Sequence, residues 1–159
     1  IASESAILCP SNASQLAIST YLATHDWRGQ IKNYRELYRE RRDAMVSSLA
    51  EHLPDATWTA PDGGFYTWVR LPEGLDAQAM LPRAVTARVA YVPGTAFYAD
   101  GSGADHMRLS FCFPTPERIR EGVRRLAGVI AGERELVEIF GTVPEVEGRV
   151  VDSPVPDLA

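Results

Sequence analysis

Lysine is nearly absent from this chain: Lys32 is the only one among 159 residues, although arginine is plentiful. Chemistry that needs a lysine amine therefore has a single candidate. Cysteine is scarce too. Cys9 and Cys112 lie far apart without CxxC spacing, which excludes a disulfide framework and points to a reducing, cytoplasmic setting. The three histidines, His25, His52 and His106, show neither HxH nor HxxxH spacing, so no metal site is expected. No apolar run approaches the ~18 residues that span a membrane, and Ile1–Ala2–Ser3–Glu4 does not open a signal peptide. Phosphate cradles are missing as well, because Gly63–Gly64 and Gly101–Ser102–Gly103 lack both the G-x-G-x-x-G pattern and a P-loop lysine. Ser110 lies in no G-x-S-x-G elbow. A net charge of −5 without a dominant basic patch argues against a nucleic-acid partner. Arg39, Arg41 and Arg42 are interleaved with Glu36, Glu40 and Asp43, which reads as a solvated helix face.

What is present is an ordinary globular composition, 45% hydrophobic and 23% charged, long enough for one domain or one domain with pieces of another. An extended segment closed by Pro10 leads into a helix with Ser11 or Asn12 as its N-cap. From Trp27 to Leu53 the apolar residues Ile31, Tyr34, Tyr38, Met45, Leu49 and Leu53 form one helical stripe. A helix of that length reads as a bridge between two bodies of structure. The period then changes. Short strands are expected at Thr57–Thr59 and Phe65–Leu71 around a Pro61–Asp62–Gly63–Gly64 turn. A helix capped by Asp76 follows, kinked or shortened by Pro82, and then a strand in "VAYVPG". The last helix starts at Thr115–Pro116–Glu117 and buries Ile119, Val123, Leu126 and Ile130. From Glu133 onward, acids and three prolines suggest a tail lying on a surface or disordered. The order predicts an α+β layer: a small antiparallel or mixed sheet with helices on one side, preceded by a long helix.

The stretch "DHMRLSFCF" carries the most information. It alternates as a strand, with Met107, Leu109, Phe111 and Phe113 on one face and His106, Arg108, Ser110 and Cys112 on the other. An arginine in mid-strand is either a structural ion pair or a clamp for a carboxylate. A guanidinium offers two parallel N–H donors that fit a carboxylate, and a strand holds it rigidly. The strand pattern does not choose between the two.

The segments "PDGGFYTWVRLP", "VAYVPGTAFYADG", "HMRLSFCF" and "PERIREGVRRLAGVI", in this order and spacing, resemble the C-terminal part of fold-type I pyridoxal-phosphate aminotransferases of class I/II. The likeness is to the branch of 2-aminoadipate, kynurenine and multi-substrate aminotransferases. "SQLAISTYL" and "YRELYRERRDAMVSSLAEHLP" are similar to the two helices before the small domain there, so the resemblance runs from about residue 8 to 132. It implies that residues 1–26 belong to the large domain, 27–54 to the helix connecting the domains and 55–132 to the small domain, which leaves 133–159 as the acidic, proline-containing tail read from composition. It implies that Arg108 binds the substrate α-carboxylate and that Phe65, less directly Tyr66, lies near the substrate. Val92–Pro93–Gly94 and Phe97 would be supports near the mouth of the site. The cofactor implied is pyridoxal 5′-phosphate, the substrates an amino acid and a 2-oxo acid, and the assembly a homodimer completed by a large domain upstream. The Schiff-base lysine of such enzymes sits in an S-x-x-K setting. Lys32 has none and lies on a charged helix face, so the chain by itself is expected to be inactive. Two other readings remain: an aminotransferase-like effector domain of a winged-helix transcription regulator, and a non-catalytic interaction module.

Overall fold

The computed structural model describes residues 11–141; the expected extended start, Cys9 and residues 142–159 of the expected tail lie outside them. Helix α1, Asn12–Thr24, is capped by Ser11, whose hydroxyl accepts from the Ser14 N–H at 3.4 Å. Helix α2, Trp27–His52, starts at Asp26, whose carboxylate accepts from the Gly29 N–H at 3.0 Å. Helix α1 buries nothing, and Leu16 and Ile18 on it are more than half exposed. Burial on α2 begins only in its second half, at Ala44, Met45, Ser48 and Leu49. The expected helix stripe is thus only half used among the described residues: Ile31 and Tyr34 stay exposed, whereas Met45, Leu49 and the following Leu53 enter the core.

The strands are β1 (Thr57–Trp58), β2 (Tyr66–Arg70), β3 (Val92–Pro93) and β4 (His106–Ser110). They form one sheet in the order β1-β2-β4-β3, antiparallel throughout. Each strand is shorter than its apolar pattern predicts. In "VAYVPG" only Val92 and Pro93 pair, because the chain turns at once into a 3₁₀ turn at Gly94–Phe97. Phe113 corrects the expected face of β4. Pairing stops at Ser110, so Met107, Leu109 and Phe111 are buried as the alternation predicts, but Phe113 is 85% exposed.

Helix α3 (Ala77–Thr86) is capped by Asp76, which accepts from Gln78 and Ala79 N–H groups. It passes through Pro82 and ends before the expected Val89, at Thr86. Helix α4 runs from Pro116 to Phe140 and stops at Gly141, whose φ of 77° suits a residue without a Cβ. The tail expected from Glu133 is therefore helix as far as Phe140. The added turns are held by long-range contacts that periodicity does not reveal. Glu133 pairs with Arg83 of α3, Arg134 pairs with Asp55 at 2.7 Å, and Val137 packs on the core.

Val69, Met107, Leu49, Met80, Phe111 and Leu126 are the large side chains sealed between the sheet and the helices. Helices α2 and α4 cover one sheet face together with α3, as an α+β layer requires. Tyr91 locks α3 to the sheet by donating its hydroxyl to the Ala77 carbonyl at 2.7 Å. Burial, followed by the charges of Asp76 and Glu133, pushes this phenol up to about 12. Above the ordinary tyrosine value the unfolded chain loses this proton and the folded one keeps it, so stability falls between pH ~10 and ~12. The expected loss over that window is on the order of 2 kcal/mol. Tyr91→Phe should cost about 1 kcal/mol at neutral pH by removing the hydrogen bond to the Ala77 carbonyl, and should remove this part of the alkaline loss. Urea unfolding midpoints of both forms from pH 7 to 12 measure it; parallel curves would contradict the assignment.

Candidate substrate-carboxylate site

The sheet face turned away from the helices carries the alternate residues of β2 and β4. Thr67, Val69, Met107 and Leu109 point to the core, so Tyr66, Trp68 and Arg70 share the other face with His106, Arg108 and Ser110. Register makes this face specific: Trp68 lies opposite Arg108 on β2, and Val92 lies opposite it on β3. Arg108 is thus in a central strand with a neighbour on each side, which fixes its Cα firmly.

Its guanidinium sits between two aromatic rings. The central carbon is 4.1 Å from the Tyr66 ring centre and 4.8 Å from that of Phe97. Contacts of this kind contribute about 0.5–1 kcal/mol each at partly exposed sites. Trp68 stands edge-on to Phe97 at 5.2 Å and stacks on His106 at 5.6 Å, so the rings continue past the arginine as a row. Among the described residues Arg108 has neither an ion pair nor a hydrogen bond. The nearby acid is already engaged: the Asp105 carboxylate accepts from Arg70 Nε at 2.8 Å and lies 2.6 Å from His106 Nδ1. Burial pushes the Asp105 carboxyl up, but the hydrogen bonds from Arg70 and His106 outweigh it and hold the group below its ordinary value. The structural ion pair that the strand pattern left open is therefore not found among the described residues. A rigid cation with open in-plane donors remains, which is what binding a small carboxylate requires.

Phe65 is placed elsewhere. It precedes β2 on the opposite side from Tyr66, and its ring meets Tyr38 of α2 edge-on at 4.8 Å. There it lines a groove of about 630 Å³ with Tyr34, Arg39, Asp62 and Phe111. The aromatic residue brought to Arg108 from the GGFY turn is Tyr66, joined by Phe97. Trp68 and His106 belong to the same face and were not singled out from the sequence. The alternation of "YTWVR" was legible, but which residue of β2 faces Arg108 depends on register. Lys32 is exposed on α2, and no amine stands among the residues around Arg108. No cluster of His, Cys, Asp and Glu among the described residues could hold a metal ion, and no helix there is long and apolar enough to cross a membrane.

A short antiparallel sheet lies under helices, with a bare arginine on its open face and a long helix leading in, and the solved structures that superpose on this arrangement are fold-type I pyridoxal-phosphate aminotransferases. The chain belongs to the aminotransferase class I and II family, whose family model matches residues 1–126. It is 43% identical over 84% of its length to aromatic-amino-acid aminotransferase 1 of Thermococcus litoralis, of which the match covers 32%. It is 39% identical over 68% of its length to the 2-aminoadipate transaminase of Thermus thermophilus, of which 28% is covered. Among solved structures, the multiple substrate aminotransferase from Thermococcus profundus superposes with a TM-score of 0.77 at 42% identity, over 86% of this chain and 34% of that one. These place the chain in the 2-aminoadipate and multi-substrate branch. Helix–turn–helix transcriptional regulators match more weakly, at 25% identity for one from Bacillus subtilis. The chain spans about a third of the length of the curated relatives it matches.

Family membership implies pyridoxal 5′-phosphate, and the described residues do not form a site for it. The chemistry needs an amine for the carbonyl carbon, and the only lysine is exposed and unpaired on a charged helix.

Proposed function

We propose that this chain is the carboxylate-binding part of an aminotransferase that moves an amino group between an amino acid and a 2-oxo acid. The observation that carries the reading is the unpaired guanidinium of Arg108, held on a central strand between two rings. The α-carboxylate is common to both substrates of such a reaction, so one fixed arginine serves both half-reactions. Its contribution is orientation: a bidentate grip at one end leaves the amino or oxo carbon in one place relative to the remainder of the site. In this reading residues 1–26 belong to the large domain, 27–54 connect it to the small one, and the cofactor, its lysine and the second subunit of a dimer complete the centre. A cytoplasmic setting belongs to this reading, supported by two cysteines far apart in sequence. The chain alone is inactive, since it lacks a competent amine. The regulator reading is less favoured because the identity to named aminotransferases is higher than to regulators.

The test uses the complete protein that contains this chain. Loaded with pyridoxal phosphate, it should show an absorption band above about 400 nm that bleaches when an amino acid is added and returns with a 2-oxo acid, because the cofactor alternates between aldehyde and amine forms. Cofactor binding with no bleaching by any of the common amino acids would refute the enzyme reading. A DNA-binding domain upstream would then favour the regulator.

A further inference from the structure

We infer that Phe97 and Tyr66 are positioning residues for the substrate carboxylate, acting through the Arg108 guanidinium rather than on the substrate. The inference rests on the clamp reading of Arg108 and adds what makes the clamp rigid. Arginine carries several rotatable bonds, and a partly exposed one with no ion pair would be expected to sample many orientations. Here both neighbours of β4 contribute a ring. Tyr66 comes from β2 on one side, and Phe97 comes from the turn after β3 on the other. Both rings thus meet the central carbon of the planar cation, at 4.1 and 4.8 Å, and hold it by π contact. The N–H donors lie along the edge of the guanidinium, which is left for hydrogen bonding. Since no acceptor among the described residues meets that edge, the rings point the fork at whatever carboxylate enters.

Phe97 is itself braced. Trp68 stands perpendicular to it at 5.2 Å, and His106 stacks on Trp68 with its Nδ1 tied to Asp105. Tyr66 and Phe97 remain 44% and 46% exposed, too open to be simple core fillers. The identity of the ring, and not the tyrosine hydroxyl, carries the effect: no hydrogen bond of Tyr66 Oη is found among the described residues.

The test is a set of variants in the complete, cofactor-loaded protein, read by steady-state kinetics for an amino acid and for a 2-oxo acid. Phe97→Leu should raise KM for both by about fivefold, with kcat changing less than about twofold, because a loosened arginine weakens binding of the end that does not react. Phe97→Tyr should restore wild-type KM. Tyr66→Phe should behave as wild type and Tyr66→Leu as Phe97→Leu, which gives the same reading from the other ring if one variant does not fold. In an Arg108→Ala background Phe97→Leu should add nothing. An equal rise in KM with and without Arg108 would show that Phe97 touches the substrate or acts on the fold, and would overturn the inference. So would an unchanged KM in Phe97→Leu and Tyr66→Leu while Arg108→Ala raises it. If Arg108→Ala itself leaves KM unchanged, the clamp reading falls and this inference falls with it.

Discussion

Arg108→Ala in the complete protein should raise KM for the amino acid and for the 2-oxo acid by on the order of 100-fold, equivalent to about 3 kcal/mol. The size follows from what is removed. A charged, two-pronged hydrogen bond to a carboxylate contributes more than a neutral one, and the open sheet face has no second cation placed to replace it: Arg70 is tied to Asp105. The fold should survive. Arg108 makes no ion pair or hydrogen bond among the described residues, and Met107 and Leu109 keep β4 seated on the core. Cofactor absorbance and melting temperature should therefore stay near wild type while binding collapses. Arg108→Lys should recover only a small part, because a single ammonium donates from a point and cannot occupy the flat slot between Tyr66 and Phe97 as a guanidinium does. Two outcomes would remove Arg108 from the site: an unchanged KM for both substrates, or a loss confined to one of them. The second matters because only the α-carboxylate is shared by the two half-reactions.

Much of this layer is legible in the residues themselves. Period-2 alternation in "HMRLS" and "YTWVR" sorts core face from open face correctly, and the Thr115–Pro116–Glu117 start marks α4 to the residue. Where alternation misleads, the cause is the end of hydrogen-bonded pairing. Phe113 has the parity of a core residue, but β4 stops pairing at Ser110 and the parity ceases to have meaning. The end of α4 is the opposite case. Glu133 and Arg134 look like the start of a polar tail until their partners are seen, and those partners, Arg83 and Asp55, are 50 and 79 residues away in sequence. Pairing at such separations leaves no local trace.

The same limit governs the site. The arginine is conspicuous in the strand, and its surroundings are not. Tyr66 rather than Phe65 reaches it because β2 pairs with β4 in the register that sets Trp68 against Arg108, and slipping by one residue would exchange every side chain between the two faces. Phe97 reaches it from a 3₁₀ turn whose direction depends on Gly94. Neither register nor turn direction is written in composition or period. The row of rings from His106 to Tyr66 is thus a product of tertiary assembly, although each member sits in a recognisable motif.

Gly94→Ala, at the start of the turn after β3, should cost about 3 kcal/mol of stability and weaken substrate binding at once. The chain passes from β3 into the turn so close to β4 that a Cβ at position 94 would lie 2.6 Å from the His106 Cβ and 2.9 Å from the His106 carbonyl oxygen. The Gly103 carbonyl oxygen would also stand within clashing distance. Two of these three atoms are backbone, and they cannot swing aside as the end of a long side chain would. Either β3 and its turn move outward or β4 does. If the turn moves, Phe97 leaves Arg108 and Trp68, because it closes that same turn. If β4 moves, the Arg70–Asp105 pair and the His106–Trp68 stack between β2 and β4 break. Both routes loosen the guanidinium, so the surviving folded protein should show a raised KM for amino and oxo acid alike. Alanine at Gly122, inside α4 where an added Cβ meets nothing within 4 Å, provides the control: it should leave KM near wild type and raise stability by up to about 1 kcal/mol. Urea midpoints and KM values for the two variants measure the difference. If Gly94→Ala matched the control, the turn would have slack that these distances deny, and Phe97 could not owe its place to it.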